Sequence, residues 1–192
     1  MAALIPRNYY YFVASLPSLE YGDDPHMSSS GFEEECLGVL EKKDAAYIPY
    51  CRYDPVLAAE TTLPTGSPFI DKFLTYERIF ILNIAGLRAN KLGRPAPAES
   101  PQHMPRTVAM AKKAFEMDDP LQAALAIDRN RWSILDTMID LGKVFGVNNI
   151  YIHLLKIKLL ERKQILDSEA KGQEKFRECY DAILNHYYSG KA

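Results

Sequence analysis

From residue 28 onward the apolar positions recur at steps of three and four, the spacing that lines one face of an α-helix. Ser30 followed by Glu33 has capping-box spacing, in which the hydroxyl accepts from a backbone N–H and the carboxylate reaches back to the cap. Phe32, Cys36, Leu37 and Leu40 then form an apolar stripe, which predicts a short helix ending near Lys43. Residues 45–62 hold Pro49 and Pro55 among Tyr47, Tyr50 and Tyr53, so short turns packed by tyrosines are expected there. Ser67-Pro68 is a helix start, with the serine as cap and proline at the first helical position, and Gly93 is the matching stop. Between them Ile70, Leu74, Ile81 and Ile84 make one row and Phe69, Phe73, Phe80 and Leu87 its neighbour, which predicts a helix central to the core.

Pro95, Pro97, Pro101 and Pro105 mark residues 94–105 as a linker, dividing a single mainly helical domain, 1–192, into lobes 1–93 and 106–192. The second lobe reads as four helices: 106–117; 120–145, capped by Asp119; 148–167; and 173–188. In the third, Ile150, Leu154 and Ile157 form one row and Tyr151, Leu155, Leu159 and Leu166 another, leaving Lys156, Lys158 and Lys163 for solvent. Short loops favour antiparallel neighbours, so the expected fold is an all-α antiparallel helical bundle. Residues 8–16 combine aromatic and β-branched side chains that suit a strand with a helical face of Tyr9, Phe12, Val13 and Leu16. No second strand-like run exists to pair with it, so we read it as helix.

Apolar residues make up 47% and charged residues 25% of the chain, enough for one substantial core and too apolar for a disordered protein. The net charge of −2 supplies no field for nucleic acid. Residues 1–104 carry 9 basic and 13 acidic side chains, the rest 14 and 12, and the acidic excess gathers in residues 20–44. Within it Asp23, Asp24, Glu33, Glu34 and Glu35 form a candidate docking segment for a basic partner, set against the plainer reading of a solvated surface. No apolar run approaches the ~20 residues of a membrane span, so direct membrane insertion is not expected and the protein should be cytoplasmic.

Catalytic patterns are missing. Neither GxxxxGK[ST] nor GxGxxG occurs, the serines have no GxSxG elbow, and Cys36, Cys51 and Cys179 form no close pair. His26, His103, His153 and His186 lie in different elements without HExxH, and His153, between apolar positions, reads as a satisfied core histidine and not a metal ligand. Asp136 and Asp140 stand four apart without the Glu-x-x-His motif of a di-metal bundle. No cofactor is expected. What remains is a polar cluster in apolar helices: Glu77, Asn83 and Arg88 on the Ser67-capped helix, and Asp128, Arg129, Arg131, Trp132 and Asp136 on the Asp119-capped one. A ligand pocket or docking site would use these groups. An interhelical salt-bridge network fixing helix register would too, and we expect the latter because each charge has a plausible counter-charge. An enzyme using Glu77, Arg131 and Asp136 is a third reading.

Several of these residues carry a resemblance. Tyr9-Tyr-Tyr-Phe-Val-Ala-Ser-Leu-Pro17, the run Ser28, Phe32, Cys36, the stretch from Tyr76-Glu77 to Leu87-Arg88-Ala89, the pair Arg131-Trp132, and Leu154-Leu-Lys-Ile-Lys-Leu-Leu160 with Gly172, Lys175 and Phe176 resemble an uncharacterised family of small bacterial proteins. That family is encoded with V/A-type ATPases and is similar to their C-type connector subunit, the d-type subunit of eukaryotes. The resemblance implies a fold like one module of that connector, and a non-catalytic link between the soluble rotor stalk and the membrane ring, supporting proton or sodium transport. Its partners would be the stalk subunits and the ring, which places the chain at the membrane periphery. The full connector subunit is much longer, so a helical adaptor or assembly factor is the alternative.

Overall fold

A computed structural model describes residues 9–95 and 105–168. Among them are eight α-helices and no strand: α1 (Tyr10–Ser15), α2 (Ser29–Val39), α3 (Lys42–Ala45), α4 (Pro55–Glu60), α5 (Pro68–Lys91), α6 (Pro105–Phe115), α7 (Pro120–Thr137) and α8 (Val147–Asp167). Short 3-10 turns occupy Ile48–Tyr50 and Leu141–Lys143. The helix expected at 173–188 lies outside the described residues, as does most of the proline-rich linker.

The strongest local signals set the helix starts. Asp119 accepts from Leu121 N–H, Asp54 from Val56 and Leu57, and Ser67 from Ile70, each with proline at the first helical position. α5 ends at Lys91, and Gly93 takes φ +61°, open to glycine at little cost. α1 is helical, and Tyr9, Phe12, Val13 and Leu16 are the residues of that stretch packed on the core.

Other boundaries move. α2 is capped by Ser28, which accepts from Gly31 N–H, so no capping box forms: glycine at the third position has no side chain to reach back, and Glu33 pairs with Lys158 at 2.6 Å. α2 stops at Val39, because Leu40 is extended, and residues 42–45 form a separate turn. The buried row steps Phe32, Cys36, Leu40, which leaves Leu37 on the outside, 60% exposed. α7 breaks at Thr137, short of residue 145. The Asp140 carboxylate accepts from Gly142 N–H at 2.9 Å, a side-chain turn that competes with helical bonding.

The most buried element is α8. Ile150 to Leu155 are all buried, as are Ile157, Leu159 and Leu160. α5 is buried only from Phe69 to Phe80, and from Ile81 on its residues are half-buried or exposed. With neighbours around it, α8 cannot leave its lysines free. Lys156 reaches Asp136 at 2.7 Å and lies over the Trp132 ring, and Lys158 donates to the Cys51 carbonyl as well as pairing with Glu33, their aliphatic stems buried beneath charged ends. Lys163 pairs with Asp167 one turn on.

Pairings fix direction. Asp128 meets Arg162 and Asp136 meets Lys156, so α7 and α8 run antiparallel. Ser29 N–H donates to Glu161 while Phe32 touches the His153 ring, so α2 and α8 do as well. α5 and α6 differ: Lys91 lies over the Phe115 ring, so their C-terminal ends meet, which the long connection permits and a short loop would not. One hydrophobic cluster runs from Phe32 to Leu160, drawing on both sides of the linker.

Candidate functional site

The polar cluster resolves into an alternating chain of charges across three helices. From α7, Arg131 Nε and Nη2 donate to the two oxygens of Glu77 on α5 at 2.9 and 2.6 Å, a bidentate pair. Arg131 Nη1 donates to Asp128 Oδ1 at 3.2 Å, one turn back on α7. The other oxygen of Asp128 accepts from Arg162 Nε on α8 at 2.8 Å. Asp128 is fully buried and Glu77 nearly so, and the two guanidiniums supply the donors that burial took from water. Tyr53 and Phe80 present ring faces to Arg131, at 4.7 and 5.8 Å from its guanidinium carbon. Beside this chain, Asn130 and the Tyr76 hydroxyl bind one another across α7 and α5.

Burial opposes the charge on Arg131, but the Glu77 carboxylate outweighs it, with Tyr53 and Asp128 acting in the same direction, so its pKa is held above the ordinary value. Burial first, and then the Glu77 charge, push the Tyr53 and Tyr76 phenols up, keeping both protonated. Tyr53 donates to the Leu155 carbonyl and thereby ties the residue 45–62 turns to α8.

Of the residues singled out in the sequence, Glu77, Asp128 and Arg131 come together. Trp132 adjoins them but looks the other way, toward Tyr21 and Lys156. Asp136 is half-exposed and pairs with Lys156, so Glu77, Arg131 and Asp136 do not form one catalytic cluster. Asn83 donates to the Ile79 carbonyl of its own helix at 2.8 Å. Arg88 is exposed, three turns beyond Glu77, roughly 16 Å along α5 at 1.5 Å per residue, and stands outside the network. Arg129 lies over Tyr21. In the acidic segment, Asp24 accepts from Gln164, Asp23 closes its own turn by accepting from Glu20 N–H, and Glu33 is taken by Lys158, which leaves Glu34 and Glu35 exposed.

Sequence reasoning missed Arg162. A signal was present: it falls on the row of Leu155, Leu159 and Leu166, and a cation within an apolar row asks for a buried acid. The histidines also depart from expectation. His26 and His153 are far apart in sequence, yet their rings lie 5.3 Å apart, because residues 17–27 cross α8. His153 is buried, but its Nε2 finds no hydrogen-bond partner among the described residues.

The space left among Tyr53, Phe73, Glu77, Arg131 and Leu135 has no room for a water molecule. Among the described residues no group of three His, Cys, Asp or Glu side chains is placed to hold a metal, and no helix is long and apolar enough to cross a membrane. As arranged, the cluster holds α5, α7 and α8 in register. Comparison with protein-family models, curated proteins and solved structures found no match.

Proposed function

We propose that the chain is a non-catalytic connector of a V/A-type rotary ATPase or ATP synthase, similar to the C-type subunit of those machines, linking the soluble rotor stalk to the membrane ring and supporting proton or sodium transport from the cytoplasmic side. The observation that carries this reading is the resemblance in its sequence motifs. Support comes from where the motif residues lie. Tyr9 binds Asp44, Phe32 and Cys36 fill the core, Glu77 and Arg131 form the bidentate clasp, and Leu154 to Leu160 run along the most buried helix. These residues mainly brace helices against one another, as suits a part that passes force between partners. Glu34 and Glu35 are outward-facing acids available to a basic partner surface.

Affinity purification from the native cell should recover stalk or ring proteins of the ATPase. A connector stays in the active complex at fixed ratio, whereas an assembly or regulatory adaptor, the second reading, appears only on incomplete particles. Repeated recovery free of every ATPase component under mild conditions overturns the connector and leaves an adaptor of another protein complex.

A further inference from the structure

Residues 17–27 carry no helix, and they cross α7 and α8 as a strap. Leu19, Tyr21 and Met27 rest on the edge of the core, Arg129 lies over the Tyr21 ring, and specific contacts fasten the strap further. Tyr21 sets its ring against Trp132 at 5.5 Å and its hydroxyl 3.5 Å from the Leu125 carbonyl; Asp24 accepts from Gln164; His26 lies on His153; and at the start of α2 the Ser29 N–H donates to Glu161. Beneath the strap sits a buried imidazole whose Nε2 has no partner among the described residues.

We propose that residues 17–27 form an acid-released strap, in which protonation of His153 drives His26 off α8 and uncovers Trp132 and the α7–α8 seam. The surroundings of His153 make its proton unwelcome. From the strap it faces a second imidazole, His26; from its own helix it faces Lys156, already held by Asp136 of α7; from α2 it meets the uncharged ring of Phe32, while Glu33 is engaged by Lys158. None of these contacts gives an N–H⁺ an acceptor. Burial, with His26 and Lys156 acting in the same direction, lowers the His153 pKa to about 4.

The sign follows from linkage. With the strap lifted the ring meets water, where an imidazole titrates at about 6.5. The open form therefore takes up a proton between pH ~6.5 and ~4 that the closed form refuses, so closure is fully favoured above that window and weakens as pH falls through it. Between pH 7 and 4.5 the open fraction should rise on the order of 100-fold. Asp24 and Glu161 also hold the strap by their carboxylates, and a His153 variant leaves both in place.

Trp132 is the single tryptophan and reports directly. Acrylamide quenching of its fluorescence in the full chain, followed from pH 7.5 to 4.5 with far-UV circular dichroism as the measure of fold, should rise while the helices persist. His153→Phe, or His153→Gln if that variant does not fold, should flatten the rise, and Tyr21→Ala should show high quenching already at neutral pH. Quenching that stays constant until the helices melt, or that rises equally without His153, overturns the proposal.

Discussion

Arg131 keeps 12% of its side chain in contact with solvent, so its charge rests almost wholly on protein oxygens from Glu77 and Asp128. Removing it would leave Glu77 buried without its fork of donors, and Asp128 with Arg162 alone. Breaking such a buried pair costs about 3–5 kcal/mol, whereas loss of an exposed ion pair costs about 0.5 kcal/mol or less. Arg131→Ala should therefore lower the thermal midpoint by many degrees and Lys163→Ala hardly at all, as read by calorimetry on the two variants. An Arg131→Ala protein with an unchanged midpoint that no longer joins its complex would assign Arg131 to a docking surface instead. Lys is no substitute here, since an ammonium cannot match both Glu77 oxygens at once while reaching Asp128.

Among the elements, α4 shows how a single residue can finish a short helix. Arg78, on α5, donates to the carbonyls of Ala58, Ala59 and Thr61 at 2.8, 3.2 and 2.7 Å, closing groups that a six-residue helix leaves open. Arg78→Ala should free α4 before the rest of the fold. Hydrogen exchange at residues 56–61 should speed up at least tenfold, from the loss of hydrogen bonds to a charged group worth about 1.5–3 kcal/mol, with α8 protection reduced much less. Gly66 guards the connection from α4 to α5. The φ of +100° calls for glycine, and a Cβ there would also lie 2.8 Å from the Tyr47 hydroxyl, which would have to shift. The sequence showed such features where the chemistry is local. Ser67-Pro68 and Asp119-Pro120 declare helix starts because cap and proline act on neighbouring backbone, and the face of α1 was legible from its spacing. Register between helices is not local. Nothing next to Ser28 says that Glu33 will leave its own helix end for Lys158, and the apparent solvent face of α8 holds lysines only because α2 and α7 cover it. In the polar cluster, Glu77, Asp128 and Arg131 stood out as charges in apolar rows, while Tyr53 and His26 come from irregular segments whose course no periodicity reveals.

On the scale of the molecule, the core spans the proline-rich division, and two thiols buried in it among the described residues report its integrity. Cys36 and Cys51 are fully buried; burial pushes the Cys36 thiol up to about 12 and raises Cys51 further, with the nearby Glu33 charge adding to both, so neither is a ready thiolate at neutral pH. Alkylation of these two residues, followed peptide by peptide, should proceed no faster than the opening of the core and should accelerate in denaturant along with unfolding. Fast labelling of either one in the native protein would mean that the core around it opens locally, at α2 for Cys36 or at the turn after Tyr50 for Cys51, without global unfolding.

The strap and α1 have one more consequence, for the order in which the chain can be finished. Tyr9 N–H donates to the Phe145 carbonyl, Tyr21 reaches Leu125, Ser29 binds Glu161, and Gln164 closes on Asp24 across 140 residues. A ribosome releases residues 9–29 well before any of those partners, so although Phe12 soon meets the Phe32 ring, Tyr21 must wait uncovered for α7, and Asp24 and Ser29 for α8. Closing loops of that length sets a slow, late step and leaves apolar surface open during synthesis. The earliest made of the described residues include some of the last to be placed.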